Sequence, residues 1–104
     1  MEPITCKGFQ WDEGNTEKHW TKHQVSRIEC EALFFNQPLV VADDPQQSQY
    51  ESRSYALGKT DHGRPLFIVF VIRDEMIRVI SARLMSRSER KVYEDVQAQT
   101  HPNV

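Results

Sequence analysis

The apolar run from Leu66 to Ile72 is the feature that most constrains how this chain of 104 residues folds. Seven apolar residues are too few to cross a bilayer, which takes about 20 in a helix, but they suit a strand covered on both faces. Segments of alternating polarity flank the run at Arg53–Lys59 and Met76–Arg83, and turn residues separate the three. The pattern predicts an antiparallel meander with Arg64–Arg73 as its central strand.

Helix signals lie on both sides of this meander. Ser26 with Glu29, and Ser86 with Glu89, have the spacing of capping boxes. Helices are therefore expected over Val25–Phe35 and Arg87–Ala98, and a further one over Glu13–His23 after Asp12 as N-cap. The Val25–Phe35 helix is expected to bury Ile28, Ala32, Leu33 and Phe35. The Arg87–Ala98 helix is expected to bury Val92, Tyr93 and Val96. Short strands are expected at Ile4–Trp11 and Leu39–Ala42.

These elements predict one α+β domain over residues 1–104. We expect an antiparallel sheet of about four strands, two N-terminal helices, a C-terminal helix and a loose tail from about residue 99.

Charge is unevenly distributed along the chain. Residues 53–93 carry nine basic and four acidic side chains, whereas residues 1–52 carry four basic and nine acidic. The net charge of −2 therefore conceals a basic half that can hold a polyanion. Arg87 and Arg90 in the first turn of the last helix would bind an anion together with the free end amides. Solvated side chains are the alternative.

Strand alternation divides the arginines that precede this helix. It places Arg83 on one face of its strand and Arg78 on the other. We therefore expect the two side chains to point to opposite sides of the sheet, with Arg83, at the strand end, freer to reach a ligand.

Metal-dependent and nucleophilic chemistry have little support in the sequence. His19 and His23 have a spacing that lets two imidazoles bind one metal ion, but Trp20 stands where a metalloprotease motif has glutamate. A His-based metal-binding domain is kept as an alternative. No Gly-x-Ser-x-Gly motif is present, and neither Cys6 nor Cys30 has an electropositive local setting.

The compartment is predicted from the cysteines and the N-terminus. Two cysteines make no disulfide framework, and the first residues lack a secretory signal. We expect a cytoplasmic protein with reduced thiols, no cofactor and no membrane segment.

A polyanion site remains. RNA can be cleaved without a metal if a base takes the 2′-hydroxyl proton, an acid protonates the leaving 5′-oxygen and cations stabilise the phosphorane. His19, Lys22 and His23 could move protons. Arginines could supply the charge, and the candidates are Arg53, Arg83, Arg87 and Arg90. The residues alone do not separate cleavage from binding, so a non-catalytic module that binds nucleic acid or an acidic partner protein stays open.

Two motif blocks resemble the BrnT family of bacterial type II toxins. The first is F-x-W-D-E-x-N-x-x-K-H-x-x-K-H-x-V from Phe9 to Val25. The second comprises R-x-x-x-x-G from Arg53, G-R-x-L from Gly63, R-V-I-S-A-R from Arg78 and E-R-x-x-Y from Glu89. The likeness covers about residues 9–95. It departs from the family at Gln24, usually glycine, and at Leu84, where many members carry a basic residue.

This resemblance implies a RelE-like fold and a ribonuclease that arrests growth by cutting RNA. It also implies a cognate antitoxin with a ribbon-helix-helix DNA-binding region, through which alone the complex would contact operator DNA. The positions carried over as catalytic candidates are Lys22, His23, Arg53, Arg83 and Tyr93. RNA-binding roles are expected for His19, Arg64, Arg78, Arg87 and Arg90. For Tyr93, packing of the last helix on the sheet is the alternative.

Overall fold

The computed structural model of the chain describes residues 6–12, 24–43 and 52–100, which form five strands and two helices. In chain order these are β1 (Gly8–Phe9), α1 (Arg27–Phe35), β2 (Val40–Asp43), β3 (Ser54–Lys59), β4 (Pro65–Arg73), β5 (Met76–Leu84) and α2 (Arg87–Thr100). The predicted α+β class is confirmed. The helix expected over Glu13–His23 lies outside the described residues. The loose tail was expected from about residue 99; α2 runs to Thr100 and the residues after it lie outside the described ones.

The strands form one mixed sheet in the order β1-β5-β4-β3-β2. The three strands of the predicted meander pair antiparallel, with β4 in the centre, and β2 adds antiparallel to β3. An all-antiparallel sheet of about four strands is nevertheless wrong, because β1 runs parallel to β5 as a fifth strand. A long stretch of chain joins these two strands, so no hairpin fixes their relative direction. Side-chain alternation carries no information on that direction.

One face of the sheet is covered by α1 and is called the α1 face. Leu66, Ile68 and Phe70 of β4 pack there against Cys30 and Leu33 of the helix, and all five side chains are buried. The capping box that starts α1 is confirmed, since Ser26 Oγ accepts from the Glu29 amide at 3.1 Å.

The opposite face carries α2 and is called the α2 face. Leu57 of β3, Met85 and Tyr93 form a second buried cluster there, and Phe67 of β4 packs against it. The central strand therefore contacts a helix on each side, as its continuous apolar run predicts.

The residues that the two helices were expected to bury are only partly right. Ile28 and Phe35 are 76% and 77% exposed, and Val92 is 50% exposed. In α1 the buried side chains are Cys30 and Leu33, while Ile28 and Phe35, seven residues apart, share the outer side of the helix. Apolar identity alone does not set the rotation of a short helix about its axis.

A β-bulge in β5 reverses the expectation for its arginines. Val69 pairs with Ser81 and Phe70 with Val79, so Ile80 is an extra residue with no partner in β4. An extra residue shifts the side-chain alternation by one position. Arg78 and Arg83 thus lie opposite Val71 and Phe67, which share one face of β4. The prediction that Arg78 and Arg83 point to opposite sides is wrong, and both lie on the α2 face.

Gly58 sets how closely α1 approaches β3. A Cβ atom built at this glycine would lie 2.8 Å from Cγ of Leu33, which is fully buried. Because interiors are close-packed, Leu33 has no room to move away. The contact requires the smallest residue at position 58.

We predict that Gly58→Ala lowers the free energy of unfolding by about 1–3 kcal/mol, as overpacking of a core does. Urea denaturation measures the change. Gly8→Ala is the matched control, because its added Cβ would meet Met76 Cε at 3.5 Å, an ordinary contact. Equal stability of the two variants would contradict the account of this contact.

Candidate functional site

Polar side chains of β5 line part of the α2 face. Arg78, Ser81 and Arg83 lie opposite Val71, Val69 and Phe67, respectively. Since Phe67 and Val71 are four residues apart on one strand, the backbone positions of the two arginines are separated by about 13 Å. The bulge therefore aligns two guanidinium groups along one strand.

The guanidinium of Arg83 is held from several directions. Its Nη1 and Nη2 donate to the two carboxylate oxygens of Glu89 at 2.8 and 2.9 Å. Nη1 also donates to the Leu84 carbonyl at 3.0 Å, and the group lies 4.2 Å from the ring centroid of Phe67. The side chain is still 40% exposed, so it is oriented yet accessible.

Glu89 joins this arginine to the start of α2. Its Oε1 accepts from the Ser86 amide at 2.7 Å, and Ser86 Oγ accepts from the Glu89 amide at 3.3 Å, so the predicted capping box is confirmed. Hydrogen bonding from Arg83 lowers the pKa of Glu89. Burial acts to raise this pKa, and the hydrogen bond from the Ser86 amide lowers it further. The hydrogen bond between Arg83 and Glu89 raises the pKa of Arg83. The pair is ionised at neutral pH.

An aromatic pair lies beside this arginine. Tyr55 of β3 stacks on Phe67 with ring centroids 5.4 Å apart and ring planes 25° apart. Both rings are half-buried. Sequence reasoning missed them as site residues, because Phe67 is one of seven apolar residues in a row and only the strand register shows its neighbours.

Arg78 is tied to the N-terminal part of the chain. Its Nη1 lies 2.7 Å from Oδ2 of Asp12, and the Arg78 side chain is 18% exposed. The helix that Asp12 was expected to cap lies outside the described residues, so this capping role stays a prediction. His19, Lys22 and His23 lie outside the described residues, so their predicted roles stay predictions.

Arg64 is engaged beside α1. Its Nη1 lies 2.6 Å from Oε2 of Glu29 and donates to the Gln24 carbonyl at 3.2 Å. Burial raises the pKa of Glu29, but hydrogen bonds from the Ser26 amide and Arg64 outweigh it, and the net pKa is lowered. Arg64 thus holds the glutamate of the first capping box as Arg83 holds that of the second. Its expected RNA-binding role is untested.

A comparison with protein families adds to this geometry. Residues 11–89 match the family model described as ribonuclease toxin, BrnT, of type II toxin-antitoxin system. The chain belongs to this family. The resemblance seen in the two motif blocks is confirmed. The chain is a ribonuclease toxin, and it has an antitoxin partner. No curated protein matches the sequence.

The remaining arginine candidates of this BrnT-family toxin lie around the same face. Arg53 is half-buried and directly precedes β3. Arg87 and Arg90 are exposed in the first turn of α2. Arg90 lines a cleft of about 240 Å³ with Lys59 and other residues of the β3–β4 hairpin. Arg83 does not line this cleft.

Tyr93 is deeply packed in the toxin. It is 2% exposed, and its hydroxyl donates to the Pro38 carbonyl at 2.8 Å. Burial raises the pKa of its phenol. These contacts favour packing of α2 on the sheet, and the predicted catalytic role remains untested.

The described residues offer little support for a thiol nucleophile, a metal site or a membrane-spanning helix. Burial, with Glu29 and Glu31 nearby, raises the pKa of Cys30 to about 12, so its thiol is a poor nucleophile at neutral pH. Within residues 6–12, 24–43 and 52–100, no three His, Cys, Asp or Glu side chains are grouped to hold a metal ion. The same parts contain no helix long and apolar enough to span a membrane.

We predict that Tyr93→Phe lowers the free energy of unfolding by about 1 kcal/mol, because it leaves the buried Pro38 carbonyl without its donor. RNA cleavage by the folded variant should stay within about twofold of the parent chain. Urea denaturation and a cleavage assay measure the two quantities. Loss of cleavage at unchanged stability would instead show a catalytic hydroxyl.

Proposed function

We propose that this toxin is a metal-independent endoribonuclease that binds and cuts RNA on its α2 face. The observation that carries the proposal is the alignment of Arg78 and Arg83 along one side of β5. A polyanion needs cations on a common surface, and the bulge at Ile80 supplies that surface. The family match gives ribonuclease activity, and the two arginines on one face support the α2 face as its location.

Arg83 is the group we assign to the scissile phosphate. A planar guanidinium binds two phosphate oxygens at once and stabilises the extra charge of the phosphorane. Arg83 combines 40% exposure with an orientation fixed by Glu89. Arg53, Arg87 and Arg90, exposed or half-buried around the same face, would contact neighbouring phosphates.

Proton transfer is assigned to the segment that follows Asp12. Asp12 is ion-paired with Arg78 on the α2 face, and His19, Lys22 and His23 come after it in the chain. A base there would take the 2′-hydroxyl proton, the 2′-oxygen would attack phosphorus, and an acid would protonate the departing 5′-oxygen. The P–O2′ bond forms as the P–O5′ bond breaks. The products would be a 2′,3′-cyclic phosphate and a 5′-hydroxyl.

The family supports a proposal for the setting of this activity. We propose a single-domain, RelE-like toxin that acts in the cytoplasm. The antitoxin would carry a ribbon-helix-helix region, and operator DNA would be contacted only through the complex.

Cleavage of RNA by the purified toxin, freed of antitoxin, tests the proposal. With EDTA present, the parent chain should cut internally and leave 2′,3′-cyclic phosphate ends. Arg83→Ala should lower the rate by about 100-fold, the usual loss when one stabilising donor is removed. Arg27→Ala, an exposed arginine on α1, is the control and should cleave as the parent does.

Three outcomes would contradict parts of the proposal. Activity that disappears in EDTA and returns with a divalent metal would refute metal independence. Cleavage only from RNA ends would refute an endonuclease. Full activity of Arg83→Ala would refute the assignment of that residue.

A further inference from the structure

The contacts of Arg83 divide its guanidinium into two edges. A guanidinium carries five N–H donors. The contacts to Glu89 and Leu84 use both hydrogens of Nη1 and one of Nη2. The other two, Nε–H and the second hydrogen of Nη2, form a fork on the neighbouring edge of the same plane. A fork of this shape matches two oxygens of a phosphate.

Glu89 is itself fixed from behind. The Ser86 amide donates to the same Oε1 that accepts from Arg83 Nη1, and the Glu89 amide donates back to Ser86 Oγ. The ring of Phe67 lies 4.2 Å away and limits tilting of the guanidinium plane. Rotation about the Arg83 side chain is thereby restricted by the start of α2 and by the sheet together.

We propose that Glu89 is a positioning residue, which holds Arg83 so that its second fork is presented to a phosphate of RNA. This inference rests on the proposed role of Arg83. Glu89 touches no substrate and acts through the arginine. Because the fork is oriented before RNA arrives, less side-chain freedom is lost when the phosphate binds.

Simple charge counting gives the opposite expectation. Glu89 is an anion on a face that binds a polyanion, so its removal would strengthen RNA binding if it served only to neutralise Arg83. Positioning requires that its removal weakens the action of Arg83. The two roles are therefore separated by the sign of one measured effect.

Glu89→Gln is the variant that measures this sign. Glutamine keeps the capping-box spacing and can still accept from the Ser86 amide, so α2 retains its start. It loses the charge and the second carboxylate oxygen that Arg83 uses. We expect the cleavage rate at saturating RNA to fall at least tenfold, with the thermal melting temperature little changed. A rate equal to or above that of the parent toxin would overturn the inference.

Two controls separate positioning from structure. Ser86→Ala removes the cap but keeps the Arg83–Glu89 pair, and should lower the melting temperature while the cleavage rate is retained. Asp95→Asn removes one negative charge from an exposed ion pair with Lys91 on α2 and should also leave the rate unchanged. A loss of cleavage in either control as large as that of Glu89→Gln would contradict a specific role for Glu89.

The double variant Arg83→Ala/Glu89→Gln tests the route of the effect. If Glu89 acts only through Arg83, the double variant should cleave RNA at the same rate as Arg83→Ala, since a double-mutant cycle then shows full coupling. Additive losses would overturn the inference. Full activity of Arg83→Ala would refute the proposed site, whereas loss in Arg83→Ala without loss in Glu89→Gln would refute only the positioning role.

Discussion

The pairing of β4 with β5 includes one more residue on β5 than on β4. The core requires Ile77, Val79 and Ala82 to face α1, and all three are buried there. A regular strand cannot meet this requirement, because positions 79 and 82 lie three residues apart and would face opposite sides. The bulge at Ile80 resolves the conflict, and as a consequence it places Arg78 and Arg83 together on the α2 face.

The second constraint is that one glutamate at each helix start both caps the helix and binds an arginine. Each helix begins with a capping box, and each glutamate is also bound by an arginine from the sheet region, Arg64 for Glu29 and Arg83 for Glu89. An exposed ion pair adds little stability by itself. Here the pair fixes the direction of a helix start and the orientation of a guanidinium at once. On the α2 face this links the fold to the proposed chemistry.

Local sequence signals predicted much of the fold. The capping boxes and the central strand followed from spacing and polarity over a few residues. The bulge did not, because Ile80 is apolar like its neighbours and its extra position is visible only against β4. The parallel direction of β1 and the outward position of Ile28 likewise depend on distant contacts. Arg83 was proposed for the site from its place at a strand end, whereas its partner Glu89 appeared as a helix signal and a motif residue but not as a site residue.

Nuclear magnetic resonance of the arginine Nε–H groups tests most directly whether RNA lies on the α2 face. A labelled toxin would be titrated with an RNA made uncleavable by 2′-O-methyl groups. We expect the Arg78 and Arg83 signals to shift, and the signal of Arg27 on α1 to stay unchanged. A shift of the Arg27 signal without shifts of the Arg78 and Arg83 signals would contradict RNA binding on the α2 face.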